Sequence, residues 1–431
     1  MMSKWKLAWA RITRRMWFRA TLYGALGVVT ALAGAFVKFL LPVGLAGKIG
    51  ADSVGNILGI LAASMLTVTT FSLSTMVSAY GSASSSATPR AARLLIEDTR
   101  AQGALATFIG AFLFSIVGLI ALSTGIYGDS GRLVLFGATI AVIVLITVTL
   151  LRSIEQLSRF GRMGETVDLV ERATRAAMQR RAEDPLLGGV HCLDALPADT
   201  QPIGVRQVGY VEHIDTTRLH ALAEEHDLTV HVACQPGTFA TPDRPLLHIQ
   251  GQPDQELTEQ LRAAISLADA RTIENDPRYG LVVLTEIALR AMSPAINDPG
   301  TCIDVVGTCV RLLSGWAGKC AQGEMPDVKY PRVHVAPLDE TDMFDDVFPL
   351  ISREAATSLE VQVRLQKAYA ALAASGYAPM RTSAHLHAGL SLDRALQHMD
   401  FAPDRTRLQE VAARENGVEP GAHAPAAPER A

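Results

Sequence analysis

Residues 53–80 read Ser53-VGNILGILAASMLTVTTFSLSTMVSA-Tyr80 and carry no charged side chain from end to end. A helix needs about 20 apolar residues to cross a bilayer, so this run is long enough to span one. Residues 16–41, 103–123 and 132–151 meet the same criterion. The first of these is too long for a signal-peptide core and has no small-residue cleavage site, which predicts that it is retained. Trp17 and Tyr23 suit the interface at its start, and Lys38 can snorkel to the headgroups near its end. The fold expected is a membrane α-helical bundle of four transmembrane helices within residues 16–155. A cytoplasmic α+β domain, with a small β-module and a helical C-terminal part, is expected to follow.

The flanking charges orient these spans. The tail of residues 1–15 is basic, with Lys4, Lys6, Arg11, Arg14 and Arg15, and Arg19 follows just inside the first span. The second loop holds Arg90, Arg93 and Arg100, and the exit of the last span holds Arg152, Arg159 and Arg162. The first loop offers Lys48 and Asp52, and the third offers Asp129. Positive residues collect on the cytoplasmic side, so both termini are expected inside, in a multi-pass protein of the bacterial plasma (inner) membrane. The bilayer is therefore the first expected partner.

The second span differs from the others in its hydroxyls. At helical spacing Ser64, Thr67, Thr70, Ser74, Thr75 and Ser78 fall within one arc of about 140°, and Met65, Leu66, Leu73, Met76 and Val77 lie opposite. The apolar side suits lipid. The hydroxyl side suits either a pore lining or a helix–helix packing face, because small polar residues allow close approach and cross-helix hydrogen bonds. No ionisable residue stands at mid-membrane in any span, and ion or proton pathways usually contain one. Oligomerisation would satisfy both readings, and a homo-oligomer is expected.

Beyond the spans the chain divides by composition. Residues 156–202 read as a helical connector and linker, with Met163, Val167, Val170 and Thr174 at helical spacing before the Pro- and Gly-containing stretch that opens at Asp184-Pro185. Residues 203–252 alternate in short runs like a small β-module, in a rhythm similar to half of a biotinyl/lipoyl-type sandwich without the carrier lysine at its turn. Residues 253–400 are mainly helical, with one further strand within 328–335, a break at Pro349, and a helix over 378–399. The Pro-, Ala- and Gly-rich residues 416–431 suit a disordered tail.

Composition excludes several functions. With 39 Lys and Arg against 43 Asp and Glu, and a net charge of −4, the chain lacks the basic footprint of a nucleic-acid binder. Its five cysteines form no CxxC pair, which fits reduced thiols and not a disulfide framework. No dinucleotide fold, phosphate loop, nucleophile elbow, HExxH zinc site or EF-hand loop is present. His385 and His387, two apart, point to different sides of a helix. No metal, no cofactor and no catalytic residue is assigned, and the balance leans away from an enzyme.

The stretch richest in polar residues is RTIENDPRYGLVVLTEIALRAMSPAINDPGTCIDVV, residues 271–306. Asn-Asp-Pro occurs twice in it. Asp before Pro is a helix-start signature, since the carboxylate accepts free N–H groups and proline fits the first helical position. Helices are thus expected from Pro277 and Pro299, capped by Asp276 and Asp298. Between them an almost wholly apolar helix carries Glu286 and Arg290, four apart and able to pair. Two readings stay open. Glu286 and Arg290 form a buried structural bridge, or Arg271, Glu274, Asp276, Glu286, Arg290, Ser293, Asn297 and Asp298 gather around a small ligand.

The order RT…DPRYGL…IALRAMSPAINDPGT resembles the signature of a family of predicted bacterial integral membrane proteins, the domain of unknown function 2254. The run from Thr67 to Ala79, the Pro89-Arg90 dipeptide and Gly209-Tyr210 match it as well. Glu286 stands where the family usually has Asp, and Ala291-Met292-Ser293-Pro294 where it has an ALSP-like run. The resemblance implies a plasma-membrane protein with a cytoplasmic domain and supplies no activity. The function expected is a non-enzymatic sensor or gated conduit, in which a cytoplasmic domain binds a ligand or partner and couples to the bundle. The alternatives are a membrane-anchored enzyme using the 271–298 cluster and a membrane scaffold for protein partners.

Overall fold

A computed structural model describes residues 16–36, 51–96, 99–124, 128–159, 162–192, 196–322 and 327–417. The basic N-terminal tail, Lys38, Lys48 and the expected disordered tail beyond Gly417 lie outside the described residues. The chain forms two units, one of residues 2–85 and 92–165, the other of residues 86–91 and 166–431.

The first unit is helical. Its elements are α1 (Met16–Phe36), α2 (Ala51–Ser86), most of α3 (Pro89–Ile96), α4 (Thr99–Ser123) and α5 (Gly128–Arg159). Three stretches are long and apolar enough to cross a membrane, Ser53–Ser82, Gln102–Ser123 and Gly131–Ile154. In α1 the apolar stretch among described residues is the shorter Ala20–Leu32. Four spans were expected, and the structure supports three by length and composition.

Glycines bring α1 and α4 together. A Cβ on Gly27 would lie 2.4 Å from the carbonyl oxygen of Gly110, and one on Gly110 would lie 2.8 Å from that of Tyr23. Only backbones stripped of side chains approach so closely, which is how membrane helices associate where lipid is as apolar as leucine. The core around this contact holds Ala31, Val54, Leu58, Phe114 and Leu135, with Met65, Phe108 and Ile146 further along. Large apolar side chains such as Leu26, Ile60, Phe71, Val144 and Leu151 are exposed on the outside of the unit, where lipid would meet them.

Met65 and Met76 were expected on the lipid side of α2 and are instead buried. Leu66, Leu73 and Val77 of that side are exposed as expected. Most of the hydroxyl arc is exposed too: Ser64, Thr67, Thr70, Ser74 and Ser78 are exposed and Thr75 is half-buried. Thr67, Thr70 and Thr75 each donate to the carbonyl four residues back. A hydroxyl closed onto its own helix has no need of a partner across an interface, so apolar Val54, Leu58 and Met65 take the inner side.

The second unit begins with Ser86–Ala91 and resumes at Thr166, within α6 (Met163–Glu183). Its strands are β1 (Val190–His191), β2 (Thr200–Gly204), β3 (Gly209–Ile214), β4 (Thr229–Val232), β5 (Phe239–Ala240), β6 (Pro245–Gln250), β7 (Ile265–Ala268) and β8 (Val333–Val335). Helices α7 (Thr216–Glu225) and α8 (Gln255–Arg262) lie among them. A five-stranded sheet runs β1-β8-β4-β6-β2 and a three-stranded one β5-β3-β7. The biotinyl/lipoyl-like sandwich is not what forms. β8 inserts parallel to both β1 and β4, and strands from outside 203–252 complete both sheets. Val230, Val232, Leu247, Ile249, Val333 and Val335 point from the larger sheet into a core shared with Leu219, Leu257 and Leu261 of the two helices.

The remainder is helical: α9 (Pro277–Met292), α10 (Pro299–Cys320), α11 (Glu340–Asp345), α12 (Phe348–Glu354), α13 (Leu359–Ala373), α14 (Ala378–His398) and α15 (Ala402–Asn416). The break expected near Pro349 is present, since α11 ends at Asp345 and α12 starts at Phe348. Pro349 sits in the first turn of α12, where its missing N–H has no helical partner to lose. Buried Gln362 and Gln366 of α13 donate to the carbonyls of Ser352, Ala355 and Ala388, which satisfies polar groups inside an otherwise apolar helical core.

Candidate functional site

The hairpin of α9 and α10 carries the motif of residues 271–306. Both helices start where the Asp-Pro pairs predicted. Asp276 accepts the Tyr279 N–H at 3.1 Å, and Asp298 accepts the Thr301 N–H at 3.0 Å and its hydroxyl at 2.5 Å. These bonds to Thr301 hold the Asp298 carboxyl below its ordinary range. Asp276 is buried, and burial pushes its carboxyl up against the opposing pull of Arg271.

The expected site residues do not gather at one point. At the start of α9 the Arg271 Nε donates to Asp276 at 2.7 Å, while its guanidinium lies 5.0 Å from the centre of the Tyr279 ring. The Glu274 carbonyl accepts from Arg180 of α6 at 2.7 Å. Gly237 presses on this corner with φ +93, and a Cβ there would stand 2.0 Å from the Asp276 carboxylate. The other end of α9 is about 24 Å away, at 1.5 Å of rise per residue over 16 residues. There Ser293 donates its hydroxyl to the Arg290 carbonyl at 2.7 Å and its carbonyl accepts the Asn297 N–H at 2.9 Å. Asn297 takes φ +50, and Asp298 closes the turn by donating its N–H to Ala291 at 2.8 Å. Pro294, Ala295, Ile296 and Asn297 are exposed.

Glu286 lies between these ends, and it does not pair with Arg290. Its partner is Arg90, a residue 196 positions earlier, and Arg290 is exposed. The Glu286 side chain is 23% exposed and that of Arg90 56%, and the Glu286 Oε2 is buried without a hydrogen bond. The bond to Glu286 raises the Arg90 pKa, and the charges of Tyr279 and Tyr210 add to the effect. Arg90 is held in place locally by the Thr88 hydroxyl, which caps the Ala91 N–H at 3.1 Å, by Pro89 in the first turn of α3, and by burial of Ala87 and Ala91.

A second segment meets the same hairpin. On α6, Glu171 accepts from Arg311 of α10 at 2.6 Å and from Arg175 on its own helix. These guanidinium groups, Arg311 first, hold the Glu171 carboxyl below its ordinary range. One turn on, Thr174 sits against Gly280 of α9, where a Cβ would fall 2.0 Å from the threonine hydroxyl. At the end of α6 the buried Arg181 donates to the Gln235 amide at 2.6 Å, and burial pushes its pKa down to about 10. Sequence reasoning missed Arg90, Glu171, Gly280 and Arg311. The only available signals were the Glu171–Arg175 spacing and the Pro89-Arg90 dipeptide.

The arrangement is one of clamps. Ser86–Ala91 and α6 are the two places where the chain passes between the units, and each is fixed to the α9–α10 hairpin by an ion pair. The polar groups of the hairpin are largely occupied with each other or with caps. The turn of residues 294–297 is exposed throughout and open to solvent.

A family model described as predicted membrane protein (DUF2254) matches residues 13–371. Uncharacterised proteins of Mycobacterium bovis and Mycobacterium tuberculosis are each 26% identical over 291 residues, covering 63% of this chain and 53% of theirs. The chain thus spans about half the length of the curated relatives it matches. No solved structure matches it.

Proposed function

Since the chain belongs to the DUF2254 family of predicted membrane proteins, we propose that it is a non-enzymatic coupling protein, in which the larger unit reads a ligand or partner and passes the result to the membrane helices. The observation that carries this reading is the double clamp. Both chain passages between the units, Ser86–Ala91 and α6, are ion-paired to one helical hairpin, through Arg90–Glu286 and Glu171–Arg311. A displacement of that hairpin therefore pulls on α2 and α5 through covalent chain.

The magnitudes suit a switch more than a rivet. A half-exposed ion pair contributes about 0–1 kcal/mol, an amount that a bound molecule can readily offset. The exposed turn of residues 294–297, with Arg290, Ser293 and Asp298 around it, is the surface we assign to the ligand or partner. The charge bias of the loops supports a reading in which the larger unit and both termini lie on the cytoplasmic side of a bacterial inner membrane. A conduit form of this reading calls for a second copy, because five of the six α2 hydroxyls are exposed and none is buried.

Hydrogen exchange on the full chain in nanodiscs tests the coupling. Arg90→Ala and Arg311→Ala are expected to speed exchange beyond the substituted pairs, into residues 78–86 of α2 and the end of α5. Exchange that changes only at Glu286 and Glu171 themselves would sink the proposal.

A further inference from the structure

The larger sheet sets three histidines side by side on adjacent strands. The registers pair His231 of β4 with His248 of β6 on one side and with His334 of β8 on the other. Residues in register point to the same face, so three imidazoles stand in a row opposite the apolar core side. His231, in the middle, is 1% exposed, and its ring stacks on His334 with centroids 4.7 Å apart and planes 24° from parallel. Neither of its ring nitrogens has a hydrogen-bond partner. Buried polar atoms are nearly always paired, and one left doubly unpaired calls for an explanation.

The ionisable groups acting on His231 are the two flanking imidazoles, and β1 meets His334 through the His191 carbonyl at 3.3 Å. Burial, then His334, then His248, push the His231 pKa down from the ordinary histidine value. Among the described residues no group of three or more His, Cys, Asp or Glu side chains is arranged to hold a metal ion. A neutral imidazole tolerates this position, whereas an imidazolium there would sit desolvated and without a hydrogen-bond acceptor.

We infer that the histidine ladder is an acid-operated release for β8, in which protonation drives the three-residue strand Val333–Val335 out of the sheet. The strand is three residues long and lies between β4 on one edge and the two residues of β1 on the other, so its release also unpairs β1 and uncovers Val333 and Val335. Its release would free the chain between α10 and α11. The sign follows from linkage. The fold holds His231 neutral, so the stability it confers is present above the ordinary histidine pKa of 6.5 and lost as pH falls below it.

Hydrogen exchange of the full chain in detergent, corrected for the intrinsic pH dependence of amide exchange, provides the test. Protection in residues 229–233 and 333–336 is expected to fall several-fold between about pH 7.5 and 5.5, on either side of the ordinary histidine value. Protection in α13 should hold over the same range. His231→Phe keeps a flat stacking ring that cannot titrate, and it should abolish the acid loss. Should that variant not fold, His334→Phe should shrink the loss by removing the stacked imidazole that adds to the lowering of the His231 pKa. Equal protection at the two pH values, or an acid loss unchanged in the variant that folds, overturns the inference.

Discussion

Replacing Gly280 with alanine would place a methyl group inside the joint between α6 and α9. The built Cβ falls 2.0 Å from the Thr174 hydroxyl oxygen and 2.7 Å from both its Cβ and its Cγ2. Thr174 is fully buried, and its hydroxyl is bonded to the Val170 carbonyl at 2.7 Å, so its side chain has nowhere to rotate. The helices must separate instead. Overpacking of this kind costs about 1–3 kcal/mol. Gly280 has ordinary helical geometry, so the alanine also gains up to about 1 kcal/mol of helix propensity. The net expectation is a loss of about 1–2 kcal/mol, or a drop of about 2–8 °C in the Tm of the larger unit. Thermal unfolding of the full chain in detergent would measure it. Thr174→Ala in the same chain removes two of the three clashing atoms, so the double variant should recover most of the loss. A Gly280→Ala protein as stable as the parent, or a double variant whose losses simply add, would refute the close contact.

The remaining predictions concern other points of the structure. Asp298→Ala removes the cap of α10 and should cost about 0.5–2 kcal/mol, read by chemical unfolding, with little loss if serine replaces it. Glu171 has a folded pKa below its unfolded value of 4.5, so its contribution is present above that value and lost as pH falls through the folded pKa. Stability of the parent should therefore decline below about pH 4.5, and Arg311→Ala should flatten that decline in acid unfolding curves. Gly27→Leu should separate α1 from α4, since a side chain there meets the Gly110 carbonyl. Faster proteolysis within residues 16–36 and 99–123 of the detergent-solubilised protein would register it, and an unaltered digestion pattern would count against the packing.

Much of the helical architecture was legible in the sequence because its signals are local. Apolar runs declare spans, and the Asp276-Pro277 and Asp298-Pro299 pairs declare helix starts within four residues. The sheet was much less legible. β8 is three residues long and lies between strands separated from it by about a hundred positions or more, so no window of sequence contains the pairing. The Glu286–Arg290 expectation failed for a related reason. Spacing identifies a neighbour on the same helix, but a residue 196 positions away can reach the same carboxylate. On α2 the expected lipid side divides, with Leu66, Leu73 and Val77 exposed and Met65 and Met76 buried, because periodicity separates two faces without saying which residues the chain itself covers.

The placement of β8 also bears on how the protein is made. β4 and β6 leave the ribosome early, yet the strand that covers the open edge of β4 is not synthesised until residues 333–335. Until then β4 presents unpaired backbone groups, a template for association with another nascent chain. The α9–α10 hairpin must emerge first, so closing the sheet has to wait for a long loop of already helical chain, a slow step by its contact order. A fragment ending before residue 333 would keep that edge open permanently. Dissection of the larger unit for separate expression should therefore retain the chain through β8, or accept an aggregation-prone product.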